Sequence, residues 1–368
     1  MRLAYFAHSI TSCWNNGNAH FQRGLLRELR GLGVEVSIFE EQNSWSLKNL
    51  IHDQGSATAD IFRRNYPELD PITYSEQSAF EDLFDQHDVV IVHEWTPHWL
   101  VERMASLRRR SKQTLLFFHD THHRIISAPQ TLPLTTLEQF DGVIAFGKVL
   151  ADAYTARGIA AFVLHEGADI VHFKPIESSR AQDGLIWIGN WGDDERSRDI
   201  EDYLLHPARQ AGLRLSVFGV RYPEEARHKL AQFGAEYHGW CANVDAPLLY
   251  SRHCATIHIP RRYYVDHLPG IPTIRVFEAL ACGIPLLCAP WQDTEGLFRV
   301  NEDYLQASSP GQMAKLLKDV LGDALLRQKL IRSGLNQIYK RHSCRHRAQE
   351  LLKTIKNIGA PVMQERLS

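Results

Sequence analysis

Two segments, DVVIVHEW (88–95) and TLLFFHD (114–120), run apolar without alternation and then stop at a histidine beside a carboxylate. A strand that is apolar on both faces must be covered on both, which places it in a parallel sheet layered by helices. The same short runs recur at LAYFAH (3–8), VEVSIF (34–39), GVIAFG (142–147) and AFVLHEG (161–167). Helical periodicity fills the gaps between them. From His20 to Arg30, Phe21, Leu25, Leu26 and Leu29 share one face, and Gly31 and Gly33 stop the helix. Further helices are predicted at about 99–110 and 148–157. Residues 42–80 carry few signals and receive no assignment.

The pattern restarts in the second half with GLIWIGNWG (184–192), LRLSVFG (213–219), AEYHG (235–239), CATIHIP (254–260) and GIPLLCAP (283–290). Helices are predicted between these runs, then at 310–322, 324–340 and 344–357. The expected fold class is therefore α/β, with two doubly wound Rossmann-like domains. The expected division is a first domain over 1–168, a linker over 169–182, and a second domain over 183–342. Residues 343–368 form a C-terminal helix that could return to the first domain. A chain of 368 residues with 44% hydrophobic content is long enough to bury two cores.

Charge narrows the partners. With 41 basic against 43 acidic residues, the net charge of −2 gives no general attraction to polyanions, so no nucleic-acid partner is expected. Any anionic ligand has to be held by local charge. The six cysteines form no CxxC pair, which fits a reduced, cytoplasmic protein. MRLAYFAHSI reads as a first strand and not as a signal peptide, because His8 interrupts the apolar run.

The most informative stretch is GIPTIRVFEALACGIPLLCAP (270–290). Thr273 can cap a helix that starts at Ile274 and ends at Gly283, with Pro285 beyond the stop. Such a helix start offers free N–H groups and a positive dipole end to phosphate. Arg275 could reach a phosphate, and Glu278 could accept bonds from a ribose diol. The competing reading is an ordinary buried helix whose Arg275–Glu278 pair is worth a few tenths of a kcal/mol.

The stretch FEALACGIPLL resembles the signature of GT-B glycosyltransferases of the group-1, family-4-like type. HEGADIVHFKP (165–175) resembles that family's interdomain linker, and WIGNWGDDERS (187–197) its second glycine loop. YHGWCANVDAPLLYSRHCATIHIP (237–260) resembles the segment running into the donor strand, and the RxFEALACG form is similar to spore-maturation-type members. The resemblance implies two domains facing each other across a cleft, and a nucleotide diphosphate sugar as substrate with no cofactor and no metal. It implies transfer to a saccharide or other small acceptor with retention of configuration. Glu278 would hold the ribose, and Thr273, Ile274 and Arg275 would meet the diphosphate. Gly239 and Trp240 would lie by the base, and Gly189 would let the backbone approach the diphosphate. Asn190 and Arg196 stand where the family places arginine and lysine, so one cation is missing, and Arg275 or Arg198 could replace it. Gly270 stands where the family has a glutamate against the transferred sugar. Asp193, Asp194 and Glu195 are expected to face solvent.

In the first domain, Asn16, Gly17 and Asn18 resemble the family's N-terminal glycine loop, although Asn and Gly also simply make turns. His119 matches the position of an active-site histidine, and His93 ends the neighbouring strand; both are candidate catalytic residues. HDTHHR (119–124) has no usual metal-ligand spacing, so no metal is expected. The amphipathic, basic-ended helix at 99–112 suits weak peripheral contact with a lipid surface. It equally suits a solvated face whose arginines complement the helix dipole. Two other functions fit the same frame: a sugar-nucleotide epimerase, and a non-catalytic nucleotide-sugar-binding protein.

Overall fold

The computed structural model describes residues 1–110, 113–177, 183–192 and 195–365. They form two compact units, residues 1–166 with 344–368, and residues 167–343.

The first unit is built on strands β1 (Arg2–Ala7), β2 (Glu35–Glu41), β3 (Ile72–Tyr74), β4 (Val89–His93), β5 (Leu115–Asp120), β6 (Gly142–Ala145) and β7 (Ala161–Val163). They form one sheet in the order β3-β2-β1-β4-β5-β6-β7, with every neighbouring pair parallel. The strand order reverses between β1 and β4. At such a reversal crossovers leave toward opposite faces, and open α/β sheets bind ligands beyond the carboxyl ends of the strands there. Every residue of β4 and β5 is buried, whereas β2 alternates, as a strand nearer the sheet edge does. The unassigned region 42–80 folds into short helices and the three-residue edge strand β3, of which only Tyr74 is buried. Pieces that short bury too little to leave a periodic pattern.

Helix α1 (Asn18–Gly31) covers this sheet with Phe21, Leu25, Leu26 and Leu29 buried. Helix α2 (His98–Arg108) buries Leu100, Val101, Met104 and Ala105. Its apolar face is thus spent on the core, and a lipid surface would find only the basic end. Residues 111 and 112 lie outside the described residues. No helix among the described residues is long and apolar enough to cross a membrane.

The second unit has strands β8 (Leu185–Ile188), β9 (Leu215–Phe218), β10 (Glu236–Gly239), β11 (Ala255–His258), β12 (Leu286–Cys288) and β13 (Leu305–Gln306). Their order is β10-β9-β8-β11-β12-β13, again all parallel, with the reversal between β8 and β11. Leu185, Trp187, Val217, Ile257 and Leu287 join Leu204, Met313 and Leu317 from the helices in one core. Helix α3 (Arg262–His267) follows β11, and helix α4 (Ile274–Cys282) leads into β12. Of the segment read as a linker, residues 178–182 are not described. The part before them packs into this unit: Ala168 bridges to Ser343, Phe173 is fully buried, and Pro175 lies against Gly283.

The last helix, α5 (Cys344–Glu365), belongs to the first unit. The Cys344 thiol lies 3.9 Å from the Phe21 carbonyl of α1, and Arg345 lies 3.4 Å from Glu28. Buried Arg347 donates to the Glu166 carbonyl at 3.0 Å.

Candidate functional site

In the second unit the polar groups gather at the β8/β11 reversal. Gly189 follows β8 directly, and a Cβ there would lie 2.9 Å from the Trp187 ring. A Cβ on Gly219, after β9, would lie 2.1 Å from the Gly189 carbonyl oxygen. Only glycines let these two strand ends approach so closely. Asn190 fastens the same junction, its Oδ1 accepting from the Val220 amide at 3.1 Å.

Arg196 ties that loop to β11. Its Nη2 donates to the Asn190 carbonyl at 2.6 Å and its Nη1 to the Ile259 carbonyl at 3.3 Å, with the guanidinium 5.2 Å from the Trp187 ring centre. Its buried Nε has no partner among the described residues. Burial pulls this guanidinium down to about 10, and the positive charges of Arg261 and Arg275 pull in the same direction. Arg261 and Arg275 are therefore near enough for Arg196 to feel their charge, around the ends of β8 and β11 and the start of α4. Arg261 also pairs with Glu195 at 3.1 Å. The sequence reading missed Arg261, although it stands three residues past the end of β11 in CATIHIPRR. Arg198 does not join them: its side chain is 91% exposed and pairs with Asp202 at 3.6 Å. Asp193 and Asp194 lie outside the described residues.

Helix α4 buries every residue from Ile274 to Cys282 except Arg275, so it runs through the core and ends at left-handed Gly283. Thr273 takes the extended backbone of an N-cap, but its hydroxyl makes no capping bond. It meets the Nε2 of His258, at the end of β11, at 3.1 Å. Burial drives His258 down to about 3, with Arg196 adding to the effect, so its ring is neutral. The first turn of α4 contains no acidic residue, and an anion there meets N–H groups without competition.

Glu278 is not open to solvent. Its side chain is fully buried, one oxygen accepting from Asn243 Nδ2 at 3.1 Å and the other paired with Arg275. The Arg275 side chain is 31% exposed. Burial works against its charge, but Glu278 outweighs burial and holds the guanidinium charged more firmly than usual. Before a ribose hydroxyl could touch Glu278, Asn243 or Arg275 would have to move aside. Asn243 gave no signal in the sequence beyond its place after Gly239 and Trp240. Gly239 has φ of +73°, and the buried indole Nε1 of Trp240 lacks a partner among the described residues. Gly270 has φ of +91°, and a Cβ there would lie 2.6 Å from the Thr294 hydroxyl. The backbone at 270 leaves no room for a carboxylate side chain.

The first unit gathers different chemistry at its own reversal. His93 and His119 end β4 and β5, but they are 0% and 1% exposed. The Nδ1 of His119 meets the Tyr5 hydroxyl at 2.6 Å, and burial lowers its pKa to about 3. His93 is pushed well below its ordinary value by burial, then by neighbouring His119 and His8. Its Nε2 meets Thr121 Oγ1 at 3.0 Å, and Asn18 Nδ2 donates to the same hydroxyl at 2.7 Å. Asn16 holds the preceding loop, donating to the carbonyls of His8 and Ser9 at 3.3 and 3.2 Å. Gly17 adopts ordinary right-handed backbone, and the left-handed residues of this loop are Ser9 and Asn15.

Of the three imidazoles at these strand ends His8, just past β1, is the least buried, half-buried and stacked on His93 with ring centres 6.3 Å apart. Burial lowers it to about 4, and Arg124 adds to the shift. Sequence reading passed over it as a strand interruption, although it lies at the carboxyl end of its strand as His93 and His119 do. Beneath lie two buried carboxyls. Glu94 pairs with Arg124 at 3.0 Å, and Asp120 accepts from the Tyr154 hydroxyl at 2.6 Å. Burial raises both, and the charge of Asp120 pushes Glu94 further. Among the described residues, no group of three or more metal-ligating side chains is placed to hold an ion.

Residues 196–353 match the family model described as glycosyl transferase-like. Solved structures show the same fold at low identity. HepE of Anabaena, determined with UDP and glucose, is 13% identical with a TM-score of 0.68, covering 97% of this chain and 100% of its own. Sucrose-phosphate synthase of Thermosynechococcus elongatus is 13% identical with a TM-score of 0.66, covering 98% and 100%. The phage T4 glucosyltransferase BGT, determined with its UDP-glucose substrate, is 14% identical with a TM-score of 0.61, covering 97% and 99%. No curated protein matches the sequence.

Proposed function

We propose that this chain is a glycosyltransferase of GT-B architecture, one that takes a glycosyl unit from a nucleoside diphosphate sugar and passes it to a saccharide or other small acceptor. The observation that carries this reading is that Arg196, tied to the loops after β8 and β11, feels the charges of Arg261 and of Arg275, which lies in the uncapped first turn of α4. Guanidinium groups match phosphate oxygens in fork geometry and remain charged at any working pH. Negative charge that builds on the leaving diphosphate is met by these cations and by the amides of α4. Fixed cations perform the neutralisation, so no divalent metal is required. The base lies by Gly239 and Trp240, whose indole N–H supplies a donor. Once Asn243 turns away, Glu278 accepts the ribose hydroxyls. In the first unit, neutral His8 orients the acceptor hydroxyl, stacked on a His93 ring that Thr121 and Asn18 hold in place. Retention of configuration fits this arrangement, because the leaving phosphate itself can take the acceptor proton. UDP bound to HepE and UDP-glucose bound to BGT make UDP-glucose the first donor to try.

The test is release of UDP from UDP-glucose, with and without EDTA, across a panel of saccharide acceptors. Acceptor-dependent release that survives EDTA supports the reading. No release from any nucleotide sugar, by protein that is folded, contradicts it.

A further inference from the structure

The arginine cluster leaves its neighbour unexplained. A cavity of about 480 Å³ lies wholly within the second unit, between the start of the helical segment at 197 and helix α3, and it shares Arg196 with the cluster. That volume is within the roughly 300–1,000 Å³ typical of small-molecule sites. Its charges balance. Arg196, Arg198 and Arg262 line it against Glu195, Asp199 and Asp266. Arg262 is locked on Asp199 at 2.6 and 2.7 Å, which fixes one donor–acceptor pair in the wall. A second phosphate would meet as many anions as cations there, and an apolar ligand would strand charged groups. A neutral polyhydroxyl ring suits such a wall, because carboxylates accept from hydroxyls and guanidinium groups donate to them. One side is aromatic: the Tyr263 and His267 rings line it with centres 4.7 Å apart and planes tilted by 44°, and an aromatic ring suits the C–H groups of a sugar.

We propose that this cavity is a hexose subsite, with Asp266 and the Arg262–Asp199 pair reading ring hydroxyls and Tyr263 lying against the ring. The inference rests on the glycosyl-transfer reading above, and the sugar comes from one of two sources, the donor's glycosyl unit or the acceptor saccharide. Neither variant below touches the core, since Asp266 is exposed and Tyr263 half-buried.

The experiment is calorimetry of the full chain with UDP, UDP-glucose, GDP and GDP-mannose, alongside saturation-transfer NMR with free glucose, maltose and cellobiose. It compares the wild type with Asp266→Asn and Tyr263→Ala. If the donor sugar occupies the cavity, each variant loses about fivefold in affinity for the sugar nucleotide, the loss of one hydrogen bond or contact. Affinity for the bare nucleotide then stays within about twofold. If the acceptor occupies it, sugar-nucleotide affinity is unchanged and the wild-type saturation-transfer signal from a free saccharide disappears in the variants. The proposal is overturned if no sugar-bearing ligand responds to either variant. It is equally overturned if bare nucleotide weakens in parallel, which would make the cavity part of the nucleotide site. Failure of the wild type to bind any bare nucleotide would count against the arginine-cluster reading instead, and the saccharide signals would still decide the cavity.

Discussion

The two units use one topology for opposite chemistry. Each is a parallel sheet whose strand order reverses once, at β1/β4 and at β8/β11, and each collects its polar residues at the carboxyl ends of those strands. The second unit collects arginines around its strand ends and an uncapped helix start. The first collects imidazoles that burial keeps neutral, above two carboxyls whose pKa values burial raises. Fixed positive charge suits a diphosphate. Neutral groups with lone pairs suit a hydroxyl. The fold sets where the site lies, and the residues on the strand ends set what it can hold.

The largest effect expected from breaking this contrast is in the first unit. Arg124→Ala leaves Glu94 and Asp120 buried without their cation, and should destabilise the protein by about 3–5 kcal/mol. Chemical denaturation should show the full loss at pH 8. At pH 5 the raised carboxyls are already protonated and the loss should shrink. A pH-independent loss would mean that Arg124 acts by packing alone.

In the second unit, Arg275→Ala should reduce nucleoside diphosphate affinity by about 2–3 kcal/mol and also destabilise the fold, because Glu278 loses its partner. The double variant Arg275→Ala/Glu278→Gln should recover much of the stability and none of the affinity. Glu278→Ala alone should cost about 1–3 kcal/mol of nucleotide affinity, measured by titration on folded protein. Arg198→Ala is the contrast within the unit and should leave the affinity for bare nucleotide unchanged. An Arg198 effect equal to that of Arg275 would dissolve the cluster as described.

His8→Gln should lower kcat about 10–100-fold with nucleotide affinity unchanged, the loss expected from an acceptor-orienting group. His119→Gln should act mainly on stability, since its ring is tied to Tyr5 in the core.

The smallest effect concerns Glu40, buried beneath the N-terminal loop and raised to about 7 by burial, against the hydrogen bonds from Thr11. A carboxyl with a raised folded pKa favours the folded state at low pH. It costs stability progressively as pH rises from the unfolded value through 7. Glu40→Gln should therefore raise the melting temperature at pH 8 and leave it unchanged at pH 4.5.

Much of the fold was legible, because doubly buried strands are the strongest local signal a parallel sheet leaves. VVIV before His93 and LLFF before His119 located the strand ends and so the histidines. What the sequence could not tell was depth. Three histidines close adjacent strands, and only the packing of Phe21 and Tyr5 on His119 and of His8 on His93 decides which one reaches the surface. Glu278 presents the same problem, since its spacing from Arg275 is readable but the contact from Asn243, 35 residues away, is not. Arg261 was hidden for another reason. Its charge points toward Arg196 only because β8 and β11 are neighbours, a pairing that strand order supplies and residue order does not.

The most direct test of the arginine cluster is calorimetric comparison of UDP with uridine, in the wild type and in Arg261→Ala. A site built to grip the diphosphate should bind UDP at least about 100-fold more tightly than uridine, and Arg261→Ala should cut that ratio about tenfold without moving uridine. Equal affinities for UDP and uridine, or a ratio untouched by Arg261→Ala, would contradict the account.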